Sequence, residues 1–363
     1  GEVELDKARV LSVGELVSGD ITVESSSLTI LDGQLWTQAT ASGNSGAISV
    51  TVSGDIQIED LGDPAETGAG LDRGEFIESI RNRGWAYGDI TGLFSISNGV
   101  GEGGHISVSA KGNVDMVAAG VYSINKEDSM GNTGKAGAIN FESTGLVLSN
   151  SQISYRTINK MVDYGVSLKT KGNISITGGS YIDSSGKLDI QGANLTINGS
   201  LGSASELFLS TIADVSVTEQ SSLEAGTLDL ESVGLILDDS EINVQTLGIV
   251  SLSGYLSLDN QSRIAGGLNS ASVLSIDAKE AVLNNESVIT SGHSIKLNVA
   301  KFNMKGGSVV EVESQIPELA DAPVLNMNAD SLNLSSGSNI SLKTNEQGGN
   351  LDAKIEGNLM LES

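Results

Sequence analysis

The feature that most constrains this chain is a repeat. An apolar pair spaced two apart, a short corner of Ser, Asn, Asp or Gly, and one further aliphatic residue recur along its whole length, as in Gly234-Leu235-Ile236-Leu237-Asp238-Asp239-Ser240-Glu241-Ile242. Taking the first apolar residue of each pair, the ladder runs Leu28, Ile56, Val114, Leu146, Ile174, Leu195, Val215, Leu235, Leu256, Ala281, Phe302, Leu332 and Leu359. From Ile174 to Phe302 the steps are 21, 20, 20, 21, 25 and 21 residues. Each pair alternates apolar and polar, as in Ile174-Ser175-Ile176, the pattern of a half-buried strand. Corners such as Asp259-Asn260-Gln261-Ser262 and Asn284-Asn285-Glu286-Ser287 use residues that bond nearby backbone and tolerate left-handed dihedrals.

One such unit has too little apolar surface to fold alone, whereas stacked units bury a continuous aliphatic column and pair each strand with the coils on either side. The predicted fold is therefore all-β: a single-stranded parallel β-helix (solenoid) with loop insertions, continuous over residues 1–363. A sandwich or antiparallel barrel, with strands every 8–12 residues or so, fits the period less well. Roughly fourteen coils at ~4.8 Å each predict a stack on the order of 65 Å.

Composition sets what fills that interior. Aromatics are 4% against 39% hydrophobic residues, so Val, Ile, Leu and Ala must form the core, and so much aliphatic content argues against disorder despite a net charge of −26. A pI near 4.2 argues against nucleic acid and anionic membrane surfaces, which would need a basic patch, and leaves cations as compatible partners. With no cysteine there is neither a disulfide framework nor a thiolate metal site. No run of eighteen apolar residues occurs, so no transmembrane helix is predicted. The first residues carry no secretion signal and the last stop inside a strand-like unit, so the chain is expected to be a fragment of a longer polypeptide whose signal lies elsewhere.

Two glycine devices recur. One places small residues before a strand: Gly43-Asn44-Ser45-Gly46-Ala47-Ile48, Gly101-Glu102-Gly103-Gly104-His105-Ile106 and Gly134-Lys135-Ala136-Gly137-Ala138-Ile139. The other, Gly-(Asp/Asn)-apolar, opens strands at Gly19, Gly54, Gly112, Gly172 and Gly357. Both are read as corners that need the positive φ glycine allows. Together with Leu28-Thr29-Ile30-Leu31-Asp32-Gly33-Gln34-Leu35, the Gly43 to Val50 segment resembles the repeat of filamentous-haemagglutinin-like exoproteins of the two-partner secretion type. The match is best over 18–60 and 101–153 and looser over 166–363. The resemblance implies a right-handed β-helix, exported with an outer-membrane transporter partner by a Gram-negative bacterium. It further implies a secreted or cell-surface location and use as an adhesin or its stalk.

Interruptions of a solenoid map to loops and to binding faces. The main one, 61–89, carries Arg73, Arg81, Arg83, Trp85 and Tyr87, with Phe76, Ile77 and Ile80 at helical spacing. Guanidinium groups suit carboxylates and aromatic faces suit sugar rings or apolar side chains, so these five are the candidate ligand-binding residues. The expected partners are host or bacterial cell-surface molecules, including glycans. Val117–Thr133 and Tyr155–Tyr164 read as further loops, and Ser314–Pro323, with two of the three prolines, as a loop leaving the wall.

The alternative is a β-helical polysaccharide lyase or hydrolase. Its candidate carboxylate pairs, Asp238 with Asp239 and Glu311 with Glu313, have no base at a matching spacing, and His105 and His293 lie far apart in sequence. No nucleophile, phosphate-loop or zinc-protease motif occurs, and no catalytic residue, metal site or cofactor is predicted. The calcium nonapeptide is absent, and scattered surface Ca²⁺ is compatible with the charge.

Overall fold

The computed structural model describes residues 1–61, 90–126, 134–157, 164–267, 272–314, 322–344 and 349–361. Among the described residues it contains 28 strands and no helix. Every pairing between them is parallel. Two compact units are formed, Gly1–Gly192 and Ala193–Ser363.

In the first unit each coil contributes one strand to each of three sheets. The first sheet stacks Glu2–Asp6, Ser27–Leu31, Ile56–Glu59, Asn113–Val117, Gly145–Ser149 and the start of Ile174–Gly192. The second stacks Arg9–Gly14, Gln34–Ala39, Gly92–Asn98, Gly120–Lys126, Gln152–Arg156 and Tyr181–Ser184. The third stacks Ile21–Ser25, Ile48–Val52, Ile106–Ala110, Ile139–Ser143, Gly165–Thr170 and Lys187–Gln191. The second unit repeats this scheme with longer strands that bend through their corners. Glu241–Asp259, for example, pairs in turn with Arg263–Gly266 and with two parts of Val273–Leu283.

Register bears out the ladder. Leu28, Ile56, Val114, Leu146 and Ile174 are successive Cα partners in the first unit. Leu195, Val215, Leu235, Leu256, Ala281, Phe302, Leu332 and Leu359 are successive partners in the second. From Leu195 to Leu332 these side chains are at most 4% exposed. Each contributes about 1.5–3 kcal/mol by leaving water, less for the alanine.

The corners differ from the expectation in how glycine is used. Positive φ falls on Asp32, Asn150, Asp239, Asn260, Gln261, Asn285 and Glu286, as the corner composition predicts. Among the two glycine devices, by contrast, no described glycine has positive φ. There the constraint is contact between coils: a Cβ on Gly101 would lie 1.9 Å from the Gly43 carbonyl oxygen, and one on Gly104 1.9 Å from that of Gly46. The Asp or Asn of the second device also bonds across coils, since Asp20 Oδ1 accepts the Ala47 amide at 2.7 Å and Asp55 Oδ1 the Asn113 amide at 2.8 Å. Buried serines end several corners of the second unit: Ser262 and Ser287 return their hydroxyls to the carbonyls of Asp259 and Asn284, both at 2.5 Å.

Parts of two segments read as loops, Val117–Thr133 and Tyr155–Tyr164, are strands. Gly120–Lys126 pairs residue for residue with Gly92–Asn98, and Tyr155 lies in Gln152–Arg156 with its ring fully buried. Across the main interruption Ile56 pairs directly with Val114, so the ladder continues without a missing rung. That coil spans 58 residues; without 61–88 it would span 30, between the 28 of Leu28 to Ile56 and the 32 of Val114 to Leu146.

Candidate functional site

The five sequence-predicted binding residues, Arg73, Arg81, Arg83, Trp85 and Tyr87, lie outside the described residues, as do Phe76, Ile77 and Ile80 and most of the proline-containing loop. What is described is the wall from which the interruptions depart. The 61–89 segment leaves after Asp60, where the first sheet of the first unit turns into the second, and rejoins at Ile90, just before Gly92–Asn98. The stretches 127–133 and 158–163 leave from the other margin of the same second sheet, after Lys126 and Thr157. All three departures thus flank one sheet.

That sheet reverses the usual polarity of a solenoid wall. Thr37, Ser95, Ser97, Ser123 and Asn125 are buried on its inner positions, where Thr37, Ser95 and Asn125 bond the glycine corners and Ser97 accepts from Asn125 Nδ2. Thr37 Oγ1 donates to Gly46 O at 2.6 Å, Ser45 and Ser95 share a hydroxyl bond of 2.9 Å, and Asn125 Nδ2 reaches Gly101 O at 3.0 Å while its Oδ1 accepts the Gly134 amide at 2.9 Å. The outward positions hold Trp36, Phe94 and Tyr122, register partners on three successive rungs. Their rings stack with centroids 5.1 and 5.2 Å apart, an offset arrangement that adds to the area they bury. Ile96 and Ile124 continue the row, all five side chains are at most 8% exposed, and Ile90 packs against them. A second apolar core therefore sits on the outside of the wall, at the base of the main interruption.

Polar groups fix its margins. Gln34 Nε2 donates to Ile90 O at 2.7 Å, Asp32 Oδ1 accepts the Leu61 amide at 2.6 Å, and Tyr122 Oη donates to Gln152 Oε1 at 3.1 Å. Further along the same face, Arg156 presents Nε and Nη2 to Asp183 Oδ2 at 2.8 and 2.7 Å, and the Thr157 amide donates to Ser185 Oγ at 2.9 Å. These bonds hold the start of the 158–163 departure to the next coil. Lys126, at the start of 127–133, has its ammonium pKa lowered by burial.

The remaining candidates are not brought together. His105 and Tyr164 meet edge to face at 5.3 Å, and His105 Nδ1 accepts the Ala138 amide at 2.9 Å, a corner bond equivalent to that of Asp20. His293 belongs to the second unit. Asp238 Oδ1 accepts from Asn260 Nδ2 at 2.6 Å. Glu311, expected to lack a basic neighbour, takes Ser341 Oγ at 2.8 Å and the Lys343 ammonium at 2.5 Å, one coil further on; that bond and the Glu311 charge raise the lysine's pKa. Among the described residues no group of three or more His, Asp or Glu is arranged to hold a metal ion.

No family model matches the chain, and no curated protein matches it. Among solved structures, the autotransporter UpaB from E. coli strain CFT073 is similar at 12% identity over 99% of this chain and 94% of that one, with a TM-score of 0.43. The fold assignment accordingly rests on the strand pairing itself: the chain is a parallel β-solenoid, with its three major departures in the first unit gathered on one sheet.

Proposed function

We propose that this chain is a segment of an exported bacterial surface or secreted adhesin of the filamentous-haemagglutinin-like type, a β-helical stalk that presents loops for binding cells, glycans or proteins. The observation that carries this reading is the outward aromatic core of Trp36, Phe94 and Tyr122 at the base of the 61–89 interruption. A wall built only to continue a stack gains nothing from a second core on its solvent side, whereas a presented loop needs a rigid base. The Gly43-Asn44-Ser45-Gly46 corner and the Asp32-Gly33 turn support the family, and with it secretion through an outer-membrane transporter. Binding is assigned to Arg73, Arg81, Arg83, Trp85 and Tyr87, without catalysis and without a cofactor.

The test is adhesion. Wild-type chain and a variant with those five residues changed to alanine are compared for binding to bacterial and epithelial cell surfaces and to a glycan array, with circular dichroism confirming the β-fold of both. The variant is expected to lose at least tenfold in apparent affinity, the scale on which aromatic and arginine anchors act. Equal binding would remove the interruption from the account. Turnover of any acidic polysaccharide in the same panel would favour the enzymatic alternative.

A further inference from the structure

A groove in the second unit carries chemistry that the repeat does not require. It crosses the rungs holding Ser210, Glu231, Ser251 and Asp277 and has a volume of about 450 Å³. These four stand in one outward column, each the register partner of the next. Asp277 is oriented by an amide relay, Asn298 Nδ2 donating to its Oδ1 at 2.5 Å and Asn328 Nδ2 to Asn298 Oδ1 at 2.9 Å. Beside the column stand Ile212 and Val233, 79% and 38% exposed. Among the described residues no basic side chain lines the groove.

We propose that this groove binds a linear amino-sugar glycan laid along the stack. Its ring C–H faces pack on Ile212 and Val233, its hydroxyls bond Ser210 and Ser251, and its protonated amino groups bond Glu231 and Asp277. The two carboxylates are two rungs apart, roughly 10 Å at ~4.8 Å per rung, a span for an oligomer rather than for one small cation. Two carboxylates with no base repel an acidic polysaccharide, and the hydrogen bonds they offer an ammonium are of the strong, charge-assisted kind. A bare cation leaves Ile212 and Val233 in water, whereas a sugar ring covers them. The residues that line the groove are none of those assigned to adhesion, so the substitutions that matter tell a failure here from a failure of the adhesion reading.

The experiment is calorimetric titration of the full chain with a glucosamine hexamer and with its N-acetylated counterpart. Saturable binding of the amino form is expected, with at least tenfold weaker binding of the acetylated one. Glu231→Gln and Asp277→Asn each weaken it about tenfold, the loss of one charge-assisted hydrogen bond. Ile212→Ser weakens it severalfold, and Asp238→Asn, on a different corner, leaves it unchanged. These changes are isosteric or on exposed side chains, and a melting curve verifies each fold. The proposal is overturned by absent or non-saturable binding, by equal affinity for the acetylated hexamer, or by an equal effect of Asp238→Asn, which would reduce it to the net charge of −26. It is also overturned if oligolysine binds as tightly without regard to Ile212.

Discussion

Glycine and non-glycine positions exchange their expected roles at the corners. Gly104 has no positive φ but leaves no room for a Cβ, while Ala118 sits at φ 51°. Gly104→Ala should therefore cost about 2–3 kcal/mol through a forced backbone shift, and Ala118→Gly should be neutral to slightly stabilising, since relief of ~1–2 kcal/mol of left-handed strain is offset by the greater freedom glycine gives the unfolded chain. Urea titration of both variants checks the contrast, and destabilisation by Ala118→Gly similar to that by Gly104→Ala contradicts it. A second residue-scale test concerns Tyr155, whose buried hydroxyl has no hydrogen-bond partner. Burial, with the neighbouring Tyr164 phenol adding to it, pushes its pKa up to about 12. Because the folded state holds this proton more tightly than the unfolded one, the stability is complete below about pH 10 and is lost as pH rises toward 12. Tyr155→Phe should lessen that alkaline loss and be no less stable at pH 7, since it removes an unpaired buried hydroxyl; an alkaline loss as steep as that of the wild type is the contrary result.

At the scale of the element, the second sheet of the first unit is where sequence and structure part. The other sheets follow the rule of apolar inside and polar outside, so their rungs were legible from alternation alone: Leu28, Val114 and Leu235 each meet the predicted partner. In Gly120–Lys126 the polar Ser123 and Asn125 take the inward positions, Asn125 bonding the glycine corners, and Tyr122 and Ile124 point outward into a second core. Alternation survives there with its meaning inverted, and the strand reads as an irregular loop. The signal that was available lay in the glycine corners: small-residue turns that crowd against their neighbours demand short polar partners across the interior. The positions of the departures were legible as breaks in period, but their gathering on one sheet follows from the three-strand coil, which the sequence repeat did not resolve. If the outward core is structural, Phe94→Ala should destabilise the first unit by about 3–5 kcal/mol, as for a fully buried aromatic. A change under ~1 kcal/mol in a urea titration would show that this face packs against nothing of consequence.

In the molecule as a whole, a repeating interior and the places where it is interrupted have different tasks. The interior is redundant: any regular coil offers its neighbours the same aliphatic column and the same ladder, so stability is shared among neighbour contacts rather than held in one centre. The interruption is unique, and removing 61–88 leaves a coil of ordinary length. The most direct measurement compares two deletions for adhesion to cells. One removes residues 281–301, a single coil whose loss brings Phe302 to the place of Ala281 beside Leu256; the other removes 61–88. Both chains are predicted to keep a cooperative β-sheet unfolding transition, with adhesion retained in the first and lost in the second. Adhesion that survives the loss of 61–88, or that disappears with the regular coil while the fold remains, contradicts the account.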